Sequence, residues 1–199
     1  MSEYYTIQDA TESLFKEKGS KFIGLAYPAS SEDEIKFKLE EVRKEYYDAR
    51  HHCYAWVVGL DEQITRANDD GEPSHSAGDP ILGQIRSNEL TNVLVVVVRY
   101  FGGTKLGVGG LIHAYKTAAS EALIKAKKKK LFETRSMSFS FEYPQMSIVE
   151  RLIADFGIEV DERNFKESCT ISGTIRKDHI DSFLISTKEN YNIKISIEK

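Results

Sequence analysis

The first two thirds of the chain alternate between the hydrophobic spacing of helices and that of strands. The polar stretch SEDE at residues 31–34 precedes apolar residues spaced three and four apart, which predicts a capped helix over Glu32–Tyr47. The run Asn92–Phe101 holds five valines and one leucine without alternation, which is typical of a strand buried on both faces. The pattern also predicts strands over residues 21–27, 52–59 and 62–67, a loop over 68–80, and helices over 80–87 and from Leu111 to a lysine-rich turn.

The pattern changes after Leu131. Residues 136–143 alternate between polar and large apolar side chains, which predicts a half-buried strand. The following segments are predicted as a helix over 145–156 that ends at Gly157, strands over 158–164 and 168–176, a helix capped by Asp178, and a strand over 192–197. This order, βαββαβ, is that of a ferredoxin-like layer. We therefore expect an α+β protein of two domains, residues 1–133 and residues 134–199.

Composition narrows the class of protein. The chain is 41% hydrophobic, enough for real cores, and its net charge of −4 does not indicate bulk binding of nucleic acid, so no DNA partner is expected. Cys53 and Cys169 are the only cysteines, which indicates neither a disulfide framework nor a cysteine zinc site and fits a reducing cytosol. The acidic first residues and the lack of a long apolar stretch predict a cytoplasmic protein without membrane contact.

The segment RYFGGTKLGVGGLIHAYKTAA, residues 99–119, places five glycines between the valine strand and a helix. Backbone N–H groups and a helix N-terminus converging there would suit an anion. The spacing is not a P-loop, since Val108 follows Gly107, nor a dinucleotide fingerprint, since Ile112 stands where the third glycine belongs. Glycines that only permit positive φ and close packing would give the same pattern. Both interpretations stay open, and Arg99 and Lys105 favour the anion site.

Acidic residues and histidines form two further candidate sites. Asp69, Asp70 and Glu72 could bind a divalent cation, but solvated turn carboxylates are the favoured interpretation because the EF-hand spacing is missing. On a strand, alternation places Cys53 on the face opposite His52. We expect Cys53 to be a packed core thiol and not a nucleophile, and His52 to be a structural histidine.

Three segments carry a resemblance to a known family. DARHHCYAW (48–56), DDGEPSHSAGDPIL (69–82) and VVVVRYFGGTKLGVGGLIHAY (95–115) resemble the IMPACT family, in particular its YigZ-like bacterial branch with a UPF0029-type N-terminal domain. The resemblance implies an α/β sandwich similar to the second domain of ribosomal protein S5, followed by a ferredoxin-like domain. Eukaryotic relatives regulate translation by binding the activator of a starvation-responsive kinase that phosphorylates an initiation factor, whereas bacterial members lack that partner and have no settled reaction. Because both domains resemble folds found on ribosomes, the resemblance implies association with the ribosome or RNA.

The favoured hypothesis is a non-enzymatic protein that binds RNA, the ribosome or a translation-related protein, with neither cofactor nor metal. The alternative is a metal-assisted hydrolase of a phosphorylated or small acidic substrate, with Asp69, Asp70 and Glu72 on the cation and His52 as base. One departure is His75 and Ser76, where the family commonly has Gly-Thr. The expected anion- or partner-binding surface comprises Arg50, His52, Asp69, Asp70, Gly71, Glu72, Pro73, Arg99, Tyr100, Gly102, Gly103, Lys105, Gly107, Gly109, Gly110 and Tyr115.

Overall fold

The chain forms two compact units with separate hydrophobic cores. The computed structural model describes residues 4–60, 63–165, 169–188 and 192–198. The first unit runs to Leu131 and the second begins at Phe132, two residues before the predicted boundary. Glu62 and Ser168, where two of the predicted strands begin, lie outside the described residues.

The first unit is built on a five-stranded sheet in which every neighbouring pair is antiparallel. In spatial order the strands are β2 (Thr11–Glu17), β3 (Ser20–Pro28), β6 (Val93–Tyr100), β4 (His51–Val58) and β5 (Ile64–Asn68). β6 lies at the centre, and all of its side chains from Val93 to Val98 are fully buried. The predicted strand buried on both faces is thus confirmed.

Helices cover both faces of this sheet. α1 (Glu32–Glu45) packs on one face through Ile35, Leu39 and Val42. Its first turn is capped as predicted, because the Ser31 hydroxyl accepts the N–H of Glu34 at 3.2 Å. α2 (Gly78–Ser87) and α3 (Gly107–Lys125) pack on the opposite face. α3 begins at Gly107, so Gly107, Gly109 and Gly110 lie in its first turn, whereas the sequence predicted a start at Leu111.

The lysine-rich turn predicted after α3 is in fact a strand, β7 (Lys128–Leu131). It pairs antiparallel with β1 (Tyr4–Ile7), and the N–H of Gln8 donates to the carbonyl of Lys127 at 2.8 Å. Neither β1 nor β2 was predicted. A run of lysines has low strand propensity, but pairing with β1 satisfies its backbone groups and overrides that preference.

The second unit has the predicted order βαββαβ. Its elements are β8 (Thr134–Phe141), α4 (Met146–Phe156), β9 (Glu159–Phe165), β10 (Cys169–Arg176), α5 (Ile180–Thr187) and β11 (Lys194–Ile197). The antiparallel sheet has the spatial order β11-β8-β10-β9. The apolar residues of β8 pack in the core with α4 and α5, and α4 ends at Gly157, whose φ is +59°.

The close approach of α3 to β3 yields a test of the packing. A Cβ atom at residue 24 would lie 2.4 Å from the carbonyl oxygen of Ala118. We expect Gly24→Ala to lower the free energy of unfolding by about 1–3 kcal/mol, because the helix must move away from the sheet. Gly83, inside α2, has no atom within 4 Å of such a Cβ, so Gly83→Ala is the matched control and should stabilise by about 1 kcal/mol. Urea unfolding measures both; equal values for the two variants would contradict this packing.

Candidate functional site

Two loops meet at one end of the five-stranded sheet. The acidic loop, residues 69–73, follows β5. The glycine-rich segment, residues 101–110, runs from the end of β6 through the first turn of α3. β5 and β6 both pair antiparallel with β4, so their carboxyl ends lie together where β4 begins. The strand order therefore brings together segments that are about 30 residues apart in the sequence.

Glu72 connects the two loops through a buried carboxylate. Its Oε1 accepts a hydrogen bond from Arg99 Nη1 at 2.6 Å and another from the Tyr115 hydroxyl at 2.7 Å. The Glu72 and Arg99 side chains are only 4% and 7% exposed. Arg99 precedes the glycine-rich segment and Tyr115 follows it. The Glu72 carboxylate is therefore bonded to a residue on each side of this segment.

Arg99 is a buried structural cation, which corrects the prediction that it is an anion ligand on the surface. Its guanidinium lies over the rings of Phe22 and Phe101, 5.4 and 5.7 Å from their centroids. Its charge is paired with Glu72. The Nε atom is buried, and no hydrogen-bond partner for it exists among the described residues.

Tyr115 and Cys53 are buried beneath the acidic loop. Tyr115, predicted on the surface, is fully buried, and burial together with the nearby Cys53 and Glu72 raises the pKa of its phenol, which stays protonated and can donate. Cys53 is the core thiol that the sequence predicted. Its Sγ donates to the carbonyl of Asp69 at 2.9 Å, and burial raises its pKa.

Asp69 caps helix α2 from outside the helix. The N-cap residue, Ala77, has no side-chain acceptor, and the Asp69 carboxylate instead accepts the N–H groups of Ala77 at 3.0 Å, Gly78 at 2.8 Å and His75 at 2.9 Å. Burial alone would raise the pKa of Asp69, but these backbone donors outweigh it and hold the pKa below its usual value. The carboxylate is thus part of the loop's own structure.

Asp70 is bonded to β4. Its Oδ2 accepts the N–H of His52 at 2.7 Å, and its carbonyl accepts Nδ1–H of His51 at 2.8 Å. His52, predicted on the surface, is buried, and its Nε2–H donates to the carbonyl of Tyr46 at 3.0 Å, as suits a structural histidine.

The carboxylates of the acidic loop therefore accept hydrogen bonds from other groups of the same protein. Within the described ranges, no three His, Cys, Asp or Glu side chains are grouped as a metal site would require. The arrangement does not favour the metal-assisted hydrolase, because Asp69 and Glu72 accept hydrogen bonds from protein donors and the Nε2 of His52 is engaged.

The glycine-rich segment is exposed over most of its length. Gly102 lies against the β2–β3 turn, where a Cβ would stand 1.9 Å from the Gly19 carbonyl carbon, so this glycine is needed for packing. Gly103 has φ +87°, and in the described part of the chain no acceptor contacts the amides of Gly103, Thr104 and Lys105. Gly102 thus fits the packing interpretation, whereas the amides of residues 103–105 fit the anion-site interpretation.

The remaining expected residues divide between exposed and partly buried positions. Tyr100 is partly buried, and the hydrogen bond from its hydroxyl to Asp48, 2.7 Å long, together with burial raises its pKa to about 12. Gly110 is partly buried. The exposed residues are Arg50, Gly71, Pro73, Gly102, Gly103, Lys105, Gly107 and Gly109.

Sequence reasoning missed three residues of this site: Ser20, Phe22 and His51. Ser20 Oγ accepts the N–H of Gly102 at 3.1 Å, Phe22 lies under Arg99, and His51 Nε2 is 4.0 Å from Glu72 Oε1. The signal that could have identified Ser20 and Phe22 is the segment KGSKFIG (18–24), which contains both residues and pairs with β6 from Lys21 onward.

Comparison with known proteins identifies the family. The model of the Impact N-terminal domain matches residues 18–123, which contain both loops and the Glu72 contacts. The chain belongs to the IMPACT family. IMPACT family member YvyE of Bacillus subtilis (strain 168) is 32% identical over 100% of this chain and 92% of its own length. IMPACT family member YigZ of Escherichia coli (strain K12) is 36% identical over 76% of each chain.

Solved structures extend the likeness to the whole chain. The crystal structure of a hypothetical protein, 27% identical, covers 100% of this chain and 98% of its own with a TM-score of 0.77. Both units of this IMPACT family member therefore have a counterpart in that structure. Among the helices in the described ranges, none combines the length and hydropathy needed to cross a membrane.

The Glu72–Arg99 contact predicts a large loss of stability when one partner is removed. Glu72→Gln should lower the free energy of unfolding by about 3–5 kcal/mol, because the Arg99 charge stays buried without its counter-ion. Arg151→Gln removes an exposed ion pair with Asp155 and should cost no more than about 1 kcal/mol. In urea unfolding, similar losses in the two variants would show that the buried pair is not a major constraint.

The cap on α2 predicts a pH dependence. Because the folded state lowers the pKa of Asp69 from 3.8, its ionised carboxylate stabilises the fold above that value, and the contribution is lost as pH falls below it. The stability difference between the parent protein and Asp69→Asn should therefore shrink between about pH 6 and about pH 3. Urea unfolding at several pH values tests this, and a difference that does not change with pH would refute it.

Proposed function

We propose that this IMPACT family member is a cytoplasmic, translation-associated regulator that acts by binding a partner and not by catalysis. Its binding face comprises the exposed part of the glycine-rich segment with Gly71 and Pro73 of the acidic loop. The single observation behind this proposal is the buried Glu72 carboxylate, which holds the acidic loop to Arg99 and Tyr115. The two loops consequently form one surface.

The chemistry of this surface suits a negatively charged group. The amides of Gly103, Thr104 and Lys105 meet no acceptor within the described residues, and the Lys105 side chain is exposed. The carboxylates of Asp69 and Glu72 are engaged with protein donors, so they offer less repulsion than the sequence suggests. A phosphate of RNA or a carboxylate of a protein could accept these N–H groups.

The role in translation is supported by membership of the IMPACT family, whose eukaryotic relatives regulate translation.

We propose that the first unit has a fold like the second domain of ribosomal protein S5 and the second a ferredoxin-like fold. The five-stranded sheet between helices supports the former, and the βαββαβ order with strands in the order fourth, first, third, second supports the latter. Both folds occur on ribosomes, so binding to ribosomal RNA or to a translation-related protein follows by analogy.

Co-sedimentation with purified ribosomes at rising salt tests the proposal. We expect the parent protein to pellet with ribosomes at low salt, and Lys105→Gln to weaken the association and reduce its salt slope by about 1, the value for one phosphate contact. Lys44→Gln, an exposed lysine of α1, is the matched control and should leave both unchanged. The proposal fails if the parent protein stays in the supernatant at low salt, or if Lys105→Gln behaves like the control.

A further inference from the structure

A depression of about 320 Å³ lies beside the glycine-rich segment, between the β2–β3 hairpin and the end of β6. It is lined by Gly19, Lys21, Ile23, Tyr100 and Phe101. Ile23 and Tyr100 are partly buried and pack against the core beneath α1. Leu14, which pairs with Ile23 across β2 and β3, is 51% exposed and extends the apolar floor toward the sheet edge.

Two of the residues that line the depression, Tyr100 and Phe101, are aromatic. Tyr100 is held in place by the hydrogen bond from its hydroxyl to Asp48. Phe101 is 51% exposed, and its ring is supported by the Arg99 guanidinium, which is itself fixed by Glu72. The Phe101 ring is therefore exposed to solvent and supported by the Arg99 guanidinium, as a stacking platform requires.

Three exposed lysines surround the depression. Lys16 and Lys21 face each other across β2 and β3, on the side of the sheet that carries the depression, and Lys18 occupies the hairpin turn next to Gly19. Within the described residues, none of the three takes part in an ion pair or a hydrogen bond through its side chain. Of the nearby carboxylates, Asp48 accepts the hydrogen bond from Tyr100, and Glu17 lies opposite Ser20 at the end of the hairpin.

These lysines are not explained by protection of the sheet edge. Lysines on an edge strand prevent unwanted pairing with other chains, which accounts for Lys16 on β2. Lys21 lies on β3, an interior strand, where no such protection is needed. Lys16, Lys18 and Lys21 place three positive charges around the depression and the hairpin turn, against the one carboxylate of Glu17 in that hairpin, and this excess indicates an anionic ligand.

We propose that this depression binds a segment of single-stranded RNA. One base stacks on Phe101 against the apolar lining, and the adjoining phosphates are neutralised by Lys18 and Lys21. Lysines alone would suit an acidic peptide equally well, but an open, supported aromatic ring beside them favours a flat, unpaired base. The choice of RNA over single-stranded DNA rests on the proposed function in translation.

Fluorescence anisotropy with a labelled oligouridylate of about 10 nucleotides tests the inference. Binding should weaken with salt between about 50 and about 200 mM, and replacing Lys18 and Lys21 by glutamine should reduce the slope by about 0.7 for each lysine. Phe101→Ala should weaken binding about tenfold, whereas Phe101→Trp should retain it, since a larger ring stacks at least as well.

The controls are Lys36→Gln and Phe37→Ala on α1, an exposed lysine and a 63% exposed phenylalanine, which should bind like the parent protein. Thermal melting shows whether each variant is folded.

Equal binding by Phe101→Ala and the parent protein overturns the stacking site. Tighter binding of polyglutamate than of RNA assigns the site to an acidic peptide, and tighter binding of the matching DNA overturns the assignment to RNA.

Ribosome co-sedimentation of the same variants separates the two proposals. If the oligouridylate does not bind but ribosome association still depends on Lys105, the RNA site is refuted and the proposed function stands. If the oligouridylate binds as expected but ribosomes are not bound, the proposed function is refuted, and the depression remains a site for single-stranded nucleic acid.

Discussion

The buried contact of Glu72 with Arg99 and Tyr115 is the constraint on which the arrangement of the first unit's loops depends. Removing a carboxylate and a guanidinium from water costs several kcal/mol for each ion, and the cost is offset only where geometry and further hydrogen bonds are good. The phenol of Tyr115 supplies such a bond, and the Arg99 guanidinium also rests on aromatic rings. A nonpolar substitute could fill this space, but it would not fix the direction of either loop.

Because of this buried polar contact, the residues that hold the loops in place differ from the groups that are exposed to a partner. The charged groups that look available in the sequence, notably Asp69, Glu72 and Arg99, are engaged inside the protein. The glycine-rich segment exposes backbone N–H groups, the Lys105 side chain and the Phe101 ring. The loops therefore present a surface whose chemistry is more positive than that of the acidic chain as a whole.

Local patterns predicted most helices and strands, although not β1, β2 or β7, and they did not predict contacts between distant residues. The valine run identified β6, and the SEDE stretch identified the cap of α1, because burial and capping depend on neighbours in the sequence. The pairing of Glu72 with Arg99, 27 residues away, depends on the strand order, which no local pattern contains. For the same reason Arg99 and Tyr115 were expected at the surface, and the lysines of β7 were expected in a turn.

The pairing of β1 with β7 has a consequence for how the chain acquires its structure. β1 bonds to the segment around Leu90, but its strand partner β7, with Thr6 opposite Lys129, comes only at the end of the first unit. Contacts between residues so far apart in sequence form slowly, because a long loop must be closed first. During synthesis the pairing of β1 with β7 must therefore wait until nearly the whole first unit has left the ribosome, so this two-stranded ribbon is among the last parts of the unit to form.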